Sequence, residues 1–134
     1  MRILLGTTNN DNAFEGQLAI KGIYQSGKEL YDAVCETFPD VVITDYILKD
    51  LDGIGLLKKV AGQGNTKFII YSELSDAFIT RIAISLGAVR VFKKPEEKNQ
   101  LLDFISSYAG GGINIEGISK ERENKLAKYI GDTL

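Results

Sequence analysis

The chain has no histidine and a single cysteine, and no stretch of it approaches the roughly 18 consecutive apolar residues of a membrane-spanning helix. Each absence removes a class of function. Without histidine, the commonest general base and the commonest metal ligand are missing. With Cys35 alone, no disulfide framework can form within one chain, and a reducing, cytoplasmic setting is expected. Cys35 itself is expected as a small buried apolar side chain in a helix. Neither a basic segment nor a long apolar run follows Met1, so no signal peptide is expected. A basic face is not indicated either. The net charge is −2 and the pI is near 5.2, which argues against a stand-alone nucleic-acid binder.

What is present is an ordinary globular composition in 134 residues, enough for one core. Four short apolar runs, "RILL", "DVVITD", "KFIIYS" and "VRVFKK", read as strands buried on both faces, and "AIKGIY" is a weaker fifth. Helical periods lie between them. Leu30, Ala33, Val34 and Phe38 fall on one stripe, as do Phe78, Ile79, Ile82, Ala83 and Leu86. Ser75 or Asp76 can cap the second of these helices, and Gly87 can end it. "DGIGLLKKVAGQG" reads as a shorter helix. Leu101, Leu102, Phe104, Ile105 and Tyr108 mark a last period, which Gly110, Gly111 and Gly112 are expected to stop. Alternating strands and helices imply a doubly wound α/β fold with a five-stranded parallel sheet. The first crossover is too short. Between Asp11 and Ile20 there is room for about two helical turns, and Gly16 weakens those, so the first helix is expected to be shortened or replaced by a loop, with looser pairing of the second strand.

In such a sheet, ligands bind outside the carboxyl ends of the strands. Asp45, Ser72 and Lys94 each close one of the apolar runs. Taken singly, each is an ordinary loop residue. Together they suit acyl-phosphate chemistry, in which the carboxylate attacks phosphorus and the hydroxyl and ammonium hold its oxygens.

The stretches "PDVVITDYILKDLDGIGLLKKV", "FIIYSELSD" and "GAVRVFKKP" resemble, in order and spacing, the receiver domain of bacterial response regulators. The resemblance covers residues 1–109. It implies a flavodoxin-like receiver fold and a role in signal transduction rather than catalysis. It also implies Asp45 as phosphoacceptor from a histidine kinase, with Ser72 and Lys94 contacting the phosphoryl group. The Lys94–Pro95 bond matches one that is often cis in that family.

Two departures stand out. Receivers carry two adjacent acids after the first strand that help hold Mg²⁺, and the matching residues here are Thr7 and Thr8. Asp45 and the backbone carbonyl of Ile47 remain as metal ligands, and Asp11 is the nearest acid that could swing in. A weakened or absent Mg²⁺ site is therefore expected. The aromatic switch position of the fifth strand is Val91, and Phe92 beside it should face the other way. An atypical receiver acting through protein contact is one expectation. A conventional phosphorylation-dependent receiver controlling a transcriptional output is the alternative. "LLGTTNND" also resembles the phosphate loop of flavodoxins, but it lacks the glycine expected after Thr8, and no aromatic pair is evident for a flavin ring.

The remainder is expected as a Gly-rich linker, 110–117, and a C-terminal helical segment, 118–134. That segment is either the start of an output domain or an extra helix for packing or dimerisation. The chain holds no recognition helix, so direct nucleic-acid binding is not expected. The expected partner is a histidine kinase, an output domain or a second copy of the chain, making a homodimer. It would dock on the face of the fourth helix, fifth strand and fifth helix. There Ile79, Ile82 and Leu86 should be buried and Arg81, Ser85 and Arg90 presented.

Overall fold

A computed structural model describes residues 1–8, 12–60, 64–74 and 76–113, with the side chains of 109–113 left aside. The candidates Asp11 and Ser75 and the segment 118–134 lie outside the described residues. The chain divides into two compact units, Met1–Lys98 and Asn99–Leu134.

The first unit carries a five-stranded parallel sheet, as the strand signals imply. In chain order its elements are β1 (Ile3–Gly6), β2 (Ile20–Tyr24), α1 (Gly27–Thr37), β3 (Val41–Thr44), α2 (Gly53–Val60), β4 (Lys67–Ser72), α3 (Ala77–Ser85) and β5 (Ala88–Lys93). The spatial order is β2-β1-β3-β4-β5. β1 and β3 are buried at every position, so they read as continuous apolar runs rather than alternating ones. One face of the sheet joins α1, α2 and α3 in a single core with Leu4, Val42, Phe68, Ile70, Leu30, Leu56, Leu57 and Ala83.

Local signals explain the helices. Ser26 caps α1 by accepting a hydrogen bond from the Glu29 N–H, and Asp76 caps α3 by accepting from the Phe78 N–H at 2.7 Å. Asp52 accepts from the Gly55 N–H at 2.7 Å in the first turn of α2. Gly27 is forced by space, because a Cβ there would run into the Leu51 carbonyl oxygen.

Three side chains depart from the expected pattern. Cys35 is exposed. It lies one step of about 100° past the buried Leu30, Ala33 and Val34 stripe, and so outside it. Phe38 is 77 % exposed. α1 ends before it, and Phe38 takes the left-handed conformation at φ 48°, because the following Pro39 disfavours another helical residue. Phe78 is 65 % exposed. Ala83 is the buried residue of α3, and Ile79, Ile82 and Leu86, expected to be buried, are half-buried. Arg81 and Ser85 are exposed, and Arg90 is half-buried.

Among the described residues, no helix joins β1 to β2. Residues 13–17 form consecutive turns instead. The Asn12 side chain accepts from the Phe14 N–H at 3.0 Å, and the Phe14 carbonyl accepts from the N–H groups of Gln17 and Leu18, both at 2.9 Å. Gly16 takes φ 78° to turn the chain back. Phe14 is fully buried, on Tyr71 at a ring separation of 5.3 Å. β2 pairs with β1 from Ile3 to Gly6, with a register shift between Ile3 and Leu4 like that between Phe68 and Ile69 in β4–β5.

The second unit begins within α4 (Lys98–Ile113). The helix continues through Gly110, Gly111 and Gly112, which were expected to end it. Phe104 and Tyr108, one turn apart, meet edge to face at 4.8 Å.

Candidate functional site

The parallel register places four strand ends at one edge of the sheet. Gly6 pairs with Thr44, Thr44 with Ile70, and Ser72 with Lys93. Thr7, Asp45 and Lys94 are the next residues beyond β1, β3 and β5, and Ser72 ends β4. Backbone bonds fix the exits. The Asp45 N–H donates to the Gly6 carbonyl at 3.0 Å and the Lys94 N–H to the Ser72 carbonyl at 2.7 Å. The Lys94–Pro95 peptide bond is cis.

Asp45 is the centre. Its carboxylate is buried and accepts three hydrogen bonds. Ser72 Oγ donates to Oδ1 at 2.8 Å, the Ile47 N–H donates to Oδ1 at 3.1 Å, and Lys94 Nζ donates to Oδ2 at 2.9 Å. The side chains of Asp45 and Lys94 are 9 % and 20 % exposed. This is a charge-assisted pair partly withdrawn from water, where electrostatic attraction is stronger than at an open surface. Ser72 is buried, and its hydroxyl also accepts from the Leu74 N–H at 3.2 Å, tying the β4–α3 loop to the carboxylate. The structure thus brings Asp45, Ser72 and Lys94 into direct contact.

The other candidates are arranged differently. Thr7 is buried and Thr8 exposed. Thr7 lines a narrow cleft with Leu5, Gly6, Ala13, Phe14, Ile43, Tyr71 and Lys94, with about 20 Å³ of free space. That is room for about one water, so the cleft offers no seat for a flavin ring. Val91 is half-buried and packs on the core that the three helices share, while Phe92 is buried outside that cluster, as the strand alternation requires.

Among the described residues, no three acidic, histidine or cysteine side chains cluster. Mg²⁺ favours one or two carboxylates with water and phosphate oxygens around it. Here the single carboxylate already accepts from Lys94, Ser72 and Ile47, and the neighbouring strand end supplies a threonine. Among the described residues, this donor set does not fit Mg²⁺ well.

Two residues at this edge escaped the sequence reading. Phe14 closes the side of the cleft where the first helix was expected. Its signal was a lone large aromatic in the polar run "TTNNDNAFEG". Tyr46 follows Asp45 directly and is 4 % exposed, with its hydroxyl buried and unpartnered. Burial pushes the Tyr46 phenol above its usual range, and the Asp45 charge adds to this. The Thr80 hydroxyl on α3 acts the other way. Thr80 is therefore close enough to be felt, although the two hydroxyls do not meet hydrogen-bond geometry.

A family model for the response regulator receiver domain matches residues 8–106. The chain belongs to that family. It is 31 % identical over 102 residues to a probable transcriptional regulatory protein, SgaR, of Hyphomicrobium methylovorum, covering 75 % of this chain and 48 % of that protein. It is 39 % identical over 100 residues to a protein-glutamate methylesterase/protein-glutamine glutaminase of Photobacterium profundum, covering 72 % of this chain and 28 % of that protein. The chain thus spans less than half the length of these relatives. Among solved structures, the receiver domain of the response regulator NarL of Mycobacterium tuberculosis matches with a TM-score of 0.70 at 20 % identity, covering 82 % of this chain and 96 % of that one. The receiver thus accounts for the fold and for a general role in signal transduction. Among the described residues, no helix is long and apolar enough to cross a membrane.

Proposed function

We propose that this receiver works chiefly by protein contact, with Asp45 in the phosphoacceptor position but with Mg²⁺-dependent phosphorylation impaired. One observation carries the reading: the end of β1 supplies the buried Thr7 rather than a second acid, and among the described residues no three acidic side chains cluster. Both oxygens of the Asp45 carboxylate are engaged by the chain's own Lys94 and Ser72, at 2.9 and 2.8 Å. A built-in ammonium supplies the positive charge that the carboxylate needs, and Thr7 stands in place of an acid that would recruit a metal. The chain itself is not an enzyme in this reading, and its setting is the cytoplasm.

The proposed contact surface is α3 with β5. Phe78 and Ile84 are 65 % and 45 % exposed there, beside Arg81. Large exposed apolar side chains on one short helix favour a protein partner, whether a kinase, an output domain or a second copy of the chain. Direct binding to nucleic acid is not part of this reading.

The second reading, a conventional phosphorylation switch with a transcriptional output, is favoured by the intact contact of Asp45, Ser72 and Lys94. Transfer to Asp45 would form an oxygen–phosphorus bond as the donor's nitrogen–phosphorus bond breaks. The Asp45 oxygen would give up its bond to Lys94 or Ser72, and both would turn to the phosphoryl oxygens.

The test is a titration with Mg²⁺ and beryllofluoride followed by backbone amide NMR, with Asp45→Asn as control. No shifts at millimolar ligand support the contact-operated reading. Saturable shifts at Asp45, Ser72 and Lys94 that vanish in the control would replace it with the conventional switch.

A further inference from the structure

Asp45 is held by one short side chain and one long one. Ser72 Oγ reaches Oδ1 from a single carbon, whereas Lys94 Nζ reaches Oδ2 at the end of a flexible four-carbon stem. A lysine loses much rotamer freedom when its head is fixed, and one ion pair at a partly exposed site holds it only weakly. The Lys94 side chain is 20 % exposed, so a second contact is needed to seat its head.

That contact is an aromatic ring. Lys94 Nζ lies over the Tyr71 ring, 5.6 Å from its centroid, within reach of a cation–π interaction. Tyr71 is buried and rests on the fully buried Phe14 at 5.3 Å, with the ring planes at 48°. Lys98 Nζ in turn lies over the Phe14 ring at 5.8 Å. The row runs Asp45, Lys94, Tyr71, Phe14, Lys98, with one ammonium on each ring. Lys94, Tyr71 and Phe14 line the same cleft, whose free space of about 20 Å³ has room for about one water. Little solvent meets the ammonium from that side, and a ring face attracts a cation more strongly where water is excluded. Tyr71 directly precedes Ser72 in β4. One strand therefore supplies one donor to Asp45 and the seat of the other.

We infer that Tyr71, backed by Phe14, is a positioning residue whose ring seats the Lys94 ammonium on Asp45 Oδ2. The turns at residues 13–17 bring Phe14 to Tyr71, so they set how firmly the counterion of Asp45 is held. An aliphatic side chain at position 71 would pack in the cleft but would offer no negative face to the ammonium. The inference rests on the contact of Lys94 with Asp45 and not on the reading of Asp45 as phosphoacceptor.

The test is competitive labelling of lysine amines in the folded full chain with a trace of acetic anhydride, read by mass spectrometry, without Mg²⁺ or beryllofluoride. Lys58, exposed on α2, is the internal standard. Lys94 should react more slowly than Lys58, and Tyr71→Phe should keep that ratio because the ring face remains. Tyr71→Leu should raise the relative rate of Lys94 about threefold, the effect of losing one cation–π contact. Phe14→Leu should raise it by less, and no rise there would overturn the part given to Phe14. Trifluorophenylalanine at position 71 separates the ring face from its shape. It keeps nearly the shape of phenylalanine but draws electrons from the face, so Lys94 should label faster than in Tyr71→Phe. An unchanged Lys94 rate in Tyr71→Leu overturns the inference. Equal labelling with the plain and fluorinated rings does so too, because Tyr71 would then act by packing alone. If the thermal transition shows that Tyr71→Leu does not fold, the plain and fluorinated rings decide by themselves. Failure of beryllofluoride to bind would bear on the phosphoacceptor reading alone.

Discussion

The strand ends of β3, β4 and β5 and those of β1 and β2 lie along one edge of one sheet, yet they are built on different principles. The first group holds a carboxylate, a hydroxyl and an ammonium in mutual contact, each placed by unbroken parallel pairing at that end. The second has a buried threonine, a run of turns where a crossover helix is expected, and an aromatic plug. The difference separates two tasks that one receiver site can combine. Holding an oxyanion beside Asp45 needs only Ser72 and Lys94. Recruiting a divalent metal is favoured by a second acid, and the threonine half supplies none among the described residues.

The largest effect should come from testing whether the irregular half is structural at all. Phe14→Ala removes a fully buried ring that rests on Tyr71. A loss of about 3–5 kcal/mol is expected in urea unfolding, as for other buried phenylalanines. A loss near zero would mean that residues 12–18 form a dispensable flap, and that the two halves differ less in architecture than in order.

How legible each half was in the sequence follows the same line. β1, β3, β4 and β5 announce themselves as apolar runs, because both of their faces are covered. Asp45, Ser72 and Lys94 follow from strand endings alone, since parallel pairing brings strand ends to one edge. Residue-level burial was less legible where a helix ended. Phe38 fits the α1 stripe by spacing, but Pro39 stops the helix one residue early. Phe78 fits the α3 stripe but sits in the first turn, where the cap sets the direction of the chain. The three glycines lower helix propensity, yet α4 passes through them. Phe14 and Tyr46 were hidden for another reason. Their importance comes from tertiary neighbours, Tyr71 in one case and Thr80 in the other, and no spacing rule reports such contacts.

The next effect measures how fully the acid half is self-neutralised. Lys94→Met leaves the more deeply buried partner, Asp45, without its counterion, and should cost about 2–3 kcal/mol. Asp45→Asn leaves Lys94, which is 20 % exposed and can still reach water, and should cost about 1 kcal/mol. Thermal or urea unfolding of both variants gives the ratio. Stabilisation by Asp45→Asn would reverse the comparison, because it would reveal a further acid pressing on Asp45 from the threonine half.

Converting one half to the chemistry that it lacks should have a smaller effect. Thr7→Asp with Thr8→Asp is expected to raise Mg²⁺ affinity at least tenfold, about 1.4 kcal/mol, when followed by amide shifts at Asp45. Thr7 is buried, so the new carboxylate should also lower stability until Mg²⁺ is added. No gain in affinity would mean that the first strand does not deliver residues 7 and 8 to the Asp45 carboxylate.

The smallest effect compares two tyrosines at high pH, one beside Asp45 and one under the Phe14 plug. Burial raises the phenols of Tyr46, beside Asp45, and Tyr71, beneath Phe14, above the usual 10.0. A raised value in the folded state means that the unfolded chain gives up these protons first. The linked stability is therefore fully present below pH 10 and is lost as pH rises through the folded values. Unfolding curves should accordingly superimpose at pH 7 and 9 and weaken above pH 10. Tyr46→Phe and Tyr71→Phe should each blunt the alkaline loss, because burial is the largest cause of the raised value at both phenols. No blunting in either variant would show that the packing around Asp45 and under Phe14 does not hold these phenols above their ordinary range.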